Sequence, residues 1–154
     1  MFEKDPCLIQ NTSPHSPHII IPSLIKSSTS VLDVGCNTGF LGRVLRQKKV
    51  RTDGIDINAK AIMVAKKYYR STHIRNLYSG KLSIPGRMYD YIIFADILEH
   101  LPRPDLVLKN SRRYLKKNGK IIISMPNIAR IEIRIQLLLG TFNYTDAGII
   151  SEDH

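Results

Sequence analysis

The sequence predicts an α/β fold, a doubly wound parallel sheet of about five strands in the order 3-2-1-4-5. Three observations carry this. From residue 30 onward, short apolar runs alternate with segments whose apolar residues fall at helical spacing. The runs are apolar throughout, as in a parallel sheet covered on both faces. The first run, Val31-Leu32-Asp33-Val34, feeds a small-residue turn that opens a helix.

Each element follows in order. Residues 1–17 hold Pro6, Pro14 and Pro17 among Asn, Thr, Ser and His and read as an irregular arm. Residues 18–154 then form the domain, with a short helix predicted over Ile19 to Lys26. Phe40, Leu41, Val44 and Leu45 give the helix after the turn. Thr52 to Ile57 is the second strand. Asn58 caps the next helix, which sets Ile62, Ala65 and Tyr69 on one face. A third strand is read over His73 to Tyr78 and a fourth over Tyr89 to Ala95. Pro104 suits the first turn of a helix carrying Leu108, Arg112 and Leu115 on one side and ending at Asn118-Gly119. Lys120 to Met125 is the fifth strand. From Asn127 to Leu139 both strand alternation and helix spacing fit, and length with the Pro126-Asn127 start favours a helix.

Composition narrows the class. The 154 residues suggest one domain, and 43% hydrophobic with 23% charged residues is globular usage. No apolar run reaches the roughly 18 residues of a membrane helix, and the start lacks a signal-peptide layout, so a cytoplasmic location is expected. Two cysteines, Cys7 and Cys36, make no disulfide framework and no zinc spacing. His15 and His18 stand in the arm without companion ligands, so no metal is expected. The net charge of +10 reads first as a solvated basic surface, with a nucleic-acid partner as the second reading.

The chemistry concentrates at 31–40. Gly35 and Gly39 let the backbone approach a ligand, Asn37 tolerates positive φ, and the helix start offers N–H groups. A dinucleotide fingerprint fails, since positions 35, 37 and 40 are Gly, Asn and Phe. Asp33, just before the turn, suits a ligand bearing an ammonium group. Asp56, about 20 positions after Gly35, is placed to take both hydroxyls of a ribose, or else to cap the helix that follows.

Val-Leu-Asp-Val-Gly-Cys-Asn-Thr-Gly at 31–39, Gly-Ile-Asp at 54–56, Tyr-Asp-Tyr-Ile-Ile-Phe-Ala-Asp-Ile-Leu-Glu-His-Leu at 89–101 and Gly-Lys-Ile-Ile-Ile-Ser-Met-Pro-Asn at 119–127 resemble the motifs of the class I S-adenosylmethionine-dependent methyltransferases. Within them the chain is similar to the small ubiquinone-biosynthesis and methionine-biosynthesis-like group. The resemblance implies a Rossmann-like domain that binds S-adenosylmethionine and releases S-adenosylhomocysteine. Gly35, Cys36, Asn37, Thr38, Gly39 and Phe40 would hold the methionine part, Asp33 would lie near its amino group, and Asp56 with Ile57 would meet the ribose. Lys81 and Leu82 fall where the adenine is touched, and Ala95 would line the pocket. His100 is the candidate catalytic base, with Glu99 a weaker one.

The sequence departs from this pattern twice. Lys81 stands where an acidic or amide residue is usual and cannot accept from the adenine amino group. Relatives also continue past Glu152-Asp153-His154 into the last two strands of a seven-stranded sheet. The fifth strand is therefore expected to be an edge that further chain, a second copy (a homodimer) or another protein covers. The acceptor implied is a small molecule, quinone-like or a sugar. The Asn/Asp-Pro-Pro-Tyr/Phe motif of base amino methylation is absent, position 95–98 reading Ala-Asp-Ile-Leu. The alternatives are an RNA-binding or RNA-modifying methyltransferase and a non-catalytic cofactor-binding subunit.

Overall fold

The computed structural model describes residues 16–127, 134–135 and 138–140. Chain contacts divide it into a unit of residues 1–124 and a unit of residues 125–154. The first unit holds α1 (Pro17–Leu24), β1 (Ser30–Val34), α2 (Phe40–Gln47), β2 (Arg51–Asp56), α3 (Ala59–Ala65), β3 (Ser71–Ile74), β4 (Tyr89–Ala95), α4 (Pro104–Ser111) and β5 (Leu115–Ser124).

The strands form one parallel sheet in the order β3-β2-β1-β4-β5. The period-2 geometry of a strand sorts its side chains to two faces. Leu32, Val34, Ile92 and Phe94 pack on one face with Leu82, Leu98, Leu101 and Val107. Val31, Tyr91 and Ile93 pack on the other with Ile21, Ile25, Leu41 and Leu45. Both faces are therefore covered, and β1 and β4 read as largely apolar runs. The chain winds from β1 outward through β2 to β3, then returns to place β4 on the other side of β1. That reversal leaves a crevice beyond the carboxyl ends of β1 and β4.

Local chemistry sets the helix ends. Ser16 caps α1 through its side chain, and Asn58 caps α3 by accepting from the N–H groups of Lys60 and Ala61. Pro104 opens α4 as expected.

Several boundaries differ from the sequence reading, β2 being Arg51–Asp56 rather than Thr52 to Ile57 and β5 Leu115–Ser124 rather than Lys120 to Met125. The first helix starts at Pro17, ahead of Ile19, and ends at Leu24. The third strand is Ser71–Ile74 rather than His73 to Tyr78, because Asn76 accepts from the Tyr78 N–H and turns the chain there. The helix from Pro104 does not run to Asn118-Gly119. It stops at Ser111, tightens through Arg112–Tyr114, and Leu115 already pairs with Tyr89 in β5. Residues between that pair and the pair Tyr91–Lys120 loop out as an irregularity of the strand. Gly119 is required in it, since a Cβ there would come within 2.9 Å of the Tyr89 carbonyl oxygen. Tyr69 lies beyond the end of α3, yet it still packs with Ile62 and Ala65.

β5 is an edge of the five-stranded sheet, and Ile123 on it is 45% exposed. In the second unit, residues 134–135 and 138 are helical, and the rest of the segment read as a helix over Asn127 to Leu139 lies largely outside the described residues. No helix among the described residues is long and apolar enough to cross a membrane.

Candidate active site

The turn between β1 and α2 is built by three positive-φ residues: Gly35 at 80°, Asn37 at 44° and Gly39 at 94°. Asn37 is the side-chain-bearing residue that best tolerates that region. Gly35 is fixed by space as well, since a Cβ would meet Ile97 at 2.9 Å. The N–H groups of Gly35 and Cys36 both donate to the Ile55 carbonyl of β2, at 2.8 and 2.9 Å. The turn is thus bolted to the neighbouring strand rather than hanging free.

Asp56, at the end of β2, completes the bolt. Its Oδ2 accepts from the Asn37 N–H at 2.7 Å and its Oδ1 from the Asn58 N–H at 2.8 Å. The sequence reading weighed a ribose ligand against a helix-start role. The structure gives Asp56 a local role at both the turn and the α3 start, and each carboxylate oxygen keeps a further lone pair.

Asp33 is 1% exposed. Its Oδ2 accepts from the Tyr69 hydroxyl at 2.5 Å, and that same oxygen of Tyr69 accepts from the Gly42 N–H at 3.1 Å. Burial raises the Asp33 carboxyl to about 7, the Tyr69 hydrogen bond opposes this, and the charge of Asp56 adds to it. One of the amides expected at the helix start is therefore used internally. Tyr69 carries no motif; a tyrosine beside small residues at 39, 42 and 54 is the signal that sequence reading passed over.

Around this turn opens a small cleft. Asp33, Gly35, Cys36, Asn37, Thr38, Phe40 and Ala95 line it, together with Leu41 and His18, whereas Gly39 and Asp56 are not among the lining residues. The sequence offers His18 no companion ligand. Helix α1 instead brings it into the cleft, its ring meeting Phe40 edge to face at 5.0 Å.

The other expected residues stand elsewhere. Ile57 is 56% exposed just after Asp56. Lys81 is exposed, whereas Leu82 is 1% exposed and packed in the core, so its side chain is turned away from ligand. His100 is exposed on the short turn Leu98–His100 and is not among the residues lining the cleft. Glu99 on that turn has both carboxylate oxygens buried without a hydrogen-bond partner among the described residues. Asp96, at the exit of β4, has φ 50° and accepts from the Ser124 hydroxyl at 2.8 Å. No group of three side chains among the described residues forms a metal site.

A sheet of this order, with an acid-preceded glycine turn at its reversal point and a second acid ending the adjacent strand, defines the class I S-adenosylmethionine-dependent methyltransferases. The chain belongs to that class: residues 15–149 match the methyltransferase domain family. Its relatives include the ubiquinone biosynthesis O-methyltransferase of Coxiella burnetii, 31% identical over 101 residues, covering 63% of this chain and 43% of that protein. Among solved structures, the PH0226 protein from Pyrococcus horikoshii OT3 is 25% identical with a TM-score of 0.65, over 80% of this chain and 61% of that one. Coclaurine N-methyltransferase, bound to N-methylheliamine and S-adenosylhomocysteine, is 19% identical with a TM-score of 0.58, over 68% of this chain and 35% of that one. The chain spans less than half the length of the curated relatives it matches.

Proposed function

We propose that this domain carries S-adenosylmethionine-dependent methyl transfer to an oxygen of a small, quinone-like acceptor. The observation that carries the reading is the cleft at the β1–β4 reversal, lined by the glycine turn and held by Asp56. The relatives, O-methyltransferases of ubiquinone biosynthesis, support the oxygen and the acceptor class.

The residues fit the cofactor. The turn from Gly35 to Gly39, with Phe40, would hold the methionine part, and the buried Asp33 carboxylate would attract its ammonium group. Asp56 and Ile57 would meet the ribose, and Ala95 would close the pocket wall. Lys81 would meet the adenine side through its backbone, and Leu82 would support that segment from the core. The cofactor supplies a methyl group on a sulfonium, already reactive. What remains for the chain is alignment of the acceptor and removal of its hydroxyl proton. His100, on the turn after β4, would take that proton. The β5 edge would be covered by further chain or a partner.

The test is a methyl-transfer assay with labelled cofactor and a panel of catechol-type acceptors. Wild type is expected to turn over, and His100→Ala to lose turnover while binding S-adenosylhomocysteine normally. Loss of cofactor binding in His100→Ala would remove the proton-acceptor role.

A further inference from the structure

Every strand of a parallel sheet begins at the same edge, and here that edge lies opposite the cleft, which opens beyond the carboxyl ends of β1 and β4. The turns that enter the strands carry a series of cations. Lys66 precedes β3, Lys49 and Arg51 open β2, Lys26 precedes β1, and Lys117 stands in the irregular start of β5. All five are exposed. In the sheet order they form a row, from β3 at one side to β5 at the other. Neighbouring strands lie about 4.8 Å apart, which gives the row a length of roughly 20 Å.

The acids of this end do not offset the row. Asp53 is held by Arg70 and Arg87, and Asp90 by Lys116 and by the N–H and hydroxyl of Ser30. Among the described residues, the five cations of the row form no ion pair. The row therefore keeps its charge, and a ligand of the cleft at the opposite edge makes no use of it.

The partner that complements such a row is a polyanion. The side chains between the cations decide its class. Ser27, Gln47 and Asn118 are exposed beside Lys26, Lys49 and Lys117, and hydroxyl and amide groups donate to phosphate oxygens. An anionic membrane would instead call for large apolar side chains to enter it. The turns 26–29, 46–49 and 116–118 contain none.

We propose that the amino-end edge of the sheet binds nucleic acid along one phosphate backbone, at a surface separate from the cofactor cleft. The cations meet phosphates rather than base edges, so the binding is independent of base sequence and steeply dependent on salt.

The test is fluorescence anisotropy of the full chain with a labelled single-stranded RNA of mixed sequence, about 20 nucleotides long, in a salt series. Wild type is expected to bind. Five phosphate contacts predict an affinity that falls about a hundredfold between about 50 mM and about 200 mM salt. Lys49→Glu with Arg51→Glu should weaken binding about tenfold or more, and so should Lys66→Glu with Lys117→Glu, toward the two ends of the row. Lys60→Glu with Arg103→Glu makes the same change in net charge at the opposite edge and should stay within about threefold of wild type. Cooperative thermal melts of each pair show that the fold is kept. Absence of RNA binding by wild type at about 50 mM salt overturns the proposal. Equal weakening by the opposite-edge pair also overturns it, because net charge alone would then account for the affinity. So does sedimentation with phosphatidylcholine vesicles containing about 25% phosphatidylserine without RNA binding, which would mark a membrane face.

Discussion

The Tyr69 hydroxyl donates to Asp33 at 2.5 Å while accepting from the Gly42 N–H, so one side chain ties the end of β1 to the first turns of α2. Both bonds are buried. Tyr69→Phe removes the donor to Asp33 and the acceptor for Gly42 together. The expected loss is about 2–3 kcal/mol of unfolding free energy in urea. Asp33 also loses the bond that favours its ionised form, so its pKa moves further up. Affinity for S-adenosylhomocysteine should therefore fall more at pH 6 than at pH 8. An equal fall at both would mean that Asp33 does not meet the ligand's ammonium.

Asp33 and Asp53 shift in opposite directions and act in different pH windows. Asp33 has a folded pKa raised to about 7, so its contribution to stability is full below the unfolded value of about 3.9 and is lost as pH rises through 7. Asp33→Asn, which cannot ionise, should remove that loss. Its stability relative to wild type should climb between about pH 4 and pH 7, read from urea midpoints across that range. A constant difference across the window would contradict the burial of an ionising Asp33.

Asp53 is fully buried in β2 and accepts from Arg70, from Ser71 and Tyr89 at 2.8 Å each, and from Arg87 at 3.2 Å. Burial pushes its carboxyl up, but the bonds from Arg70, Tyr89 and Ser71 and the Arg70 charge outweigh it and hold it at about 2. Its stabilisation is present above the unfolded value and lost as pH falls through 2. Asp53→Ala strands the Tyr89 hydroxyl and is expected to cost about 3–5 kcal/mol. Arg87→Met, with a side chain 47% exposed, should cost less than about 1 kcal/mol. Chemical denaturation of the two variants checks the order, and a reversal would mean that Arg87 rather than the buried carboxylate holds the network.

Gly42 reverses a general rule. Glycine to alanine inside a helix ordinarily stabilises by up to about 1 kcal/mol. Here the added Cβ would lie 2.4 Å from the Tyr69 ring. Gly42→Ala should destabilise by about 1–3 kcal/mol, and Gly42→Ala in a Tyr69→Leu background should cost much less. Thermal melts of the four proteins close that cycle.

What could be read from the sequence was what local pattern encodes. Val31 to Val34 and Tyr89 to Ala95 are strands because their apolar runs are buried on both faces, and the Asn58 and Pro104 helix starts follow from capping chemistry. Helical spacing at Leu108, Arg112 and Leu115 misled because Leu115 is half-buried beside a strand partner, Tyr89, that periodicity cannot see. The cleft residues of the glycine turn were legible as a motif. His18, Tyr69 and the Asp53 network were not, because each depends on a partner distant in the chain. A charged residue inside a buried strand, as at Asp53, is the one advance sign that such partners exist.

The most direct measurement is calorimetric titration of the chain with S-adenosylhomocysteine beside Asp56→Ala, with unliganded melts of both. Saturable binding by wild type, weakened about tenfold or more in Asp56→Ala while that variant still melts cooperatively, is the predicted result. No binding by folded wild-type protein, or equal binding by both, would contradict a cofactor site built on the glycine turn and Asp56.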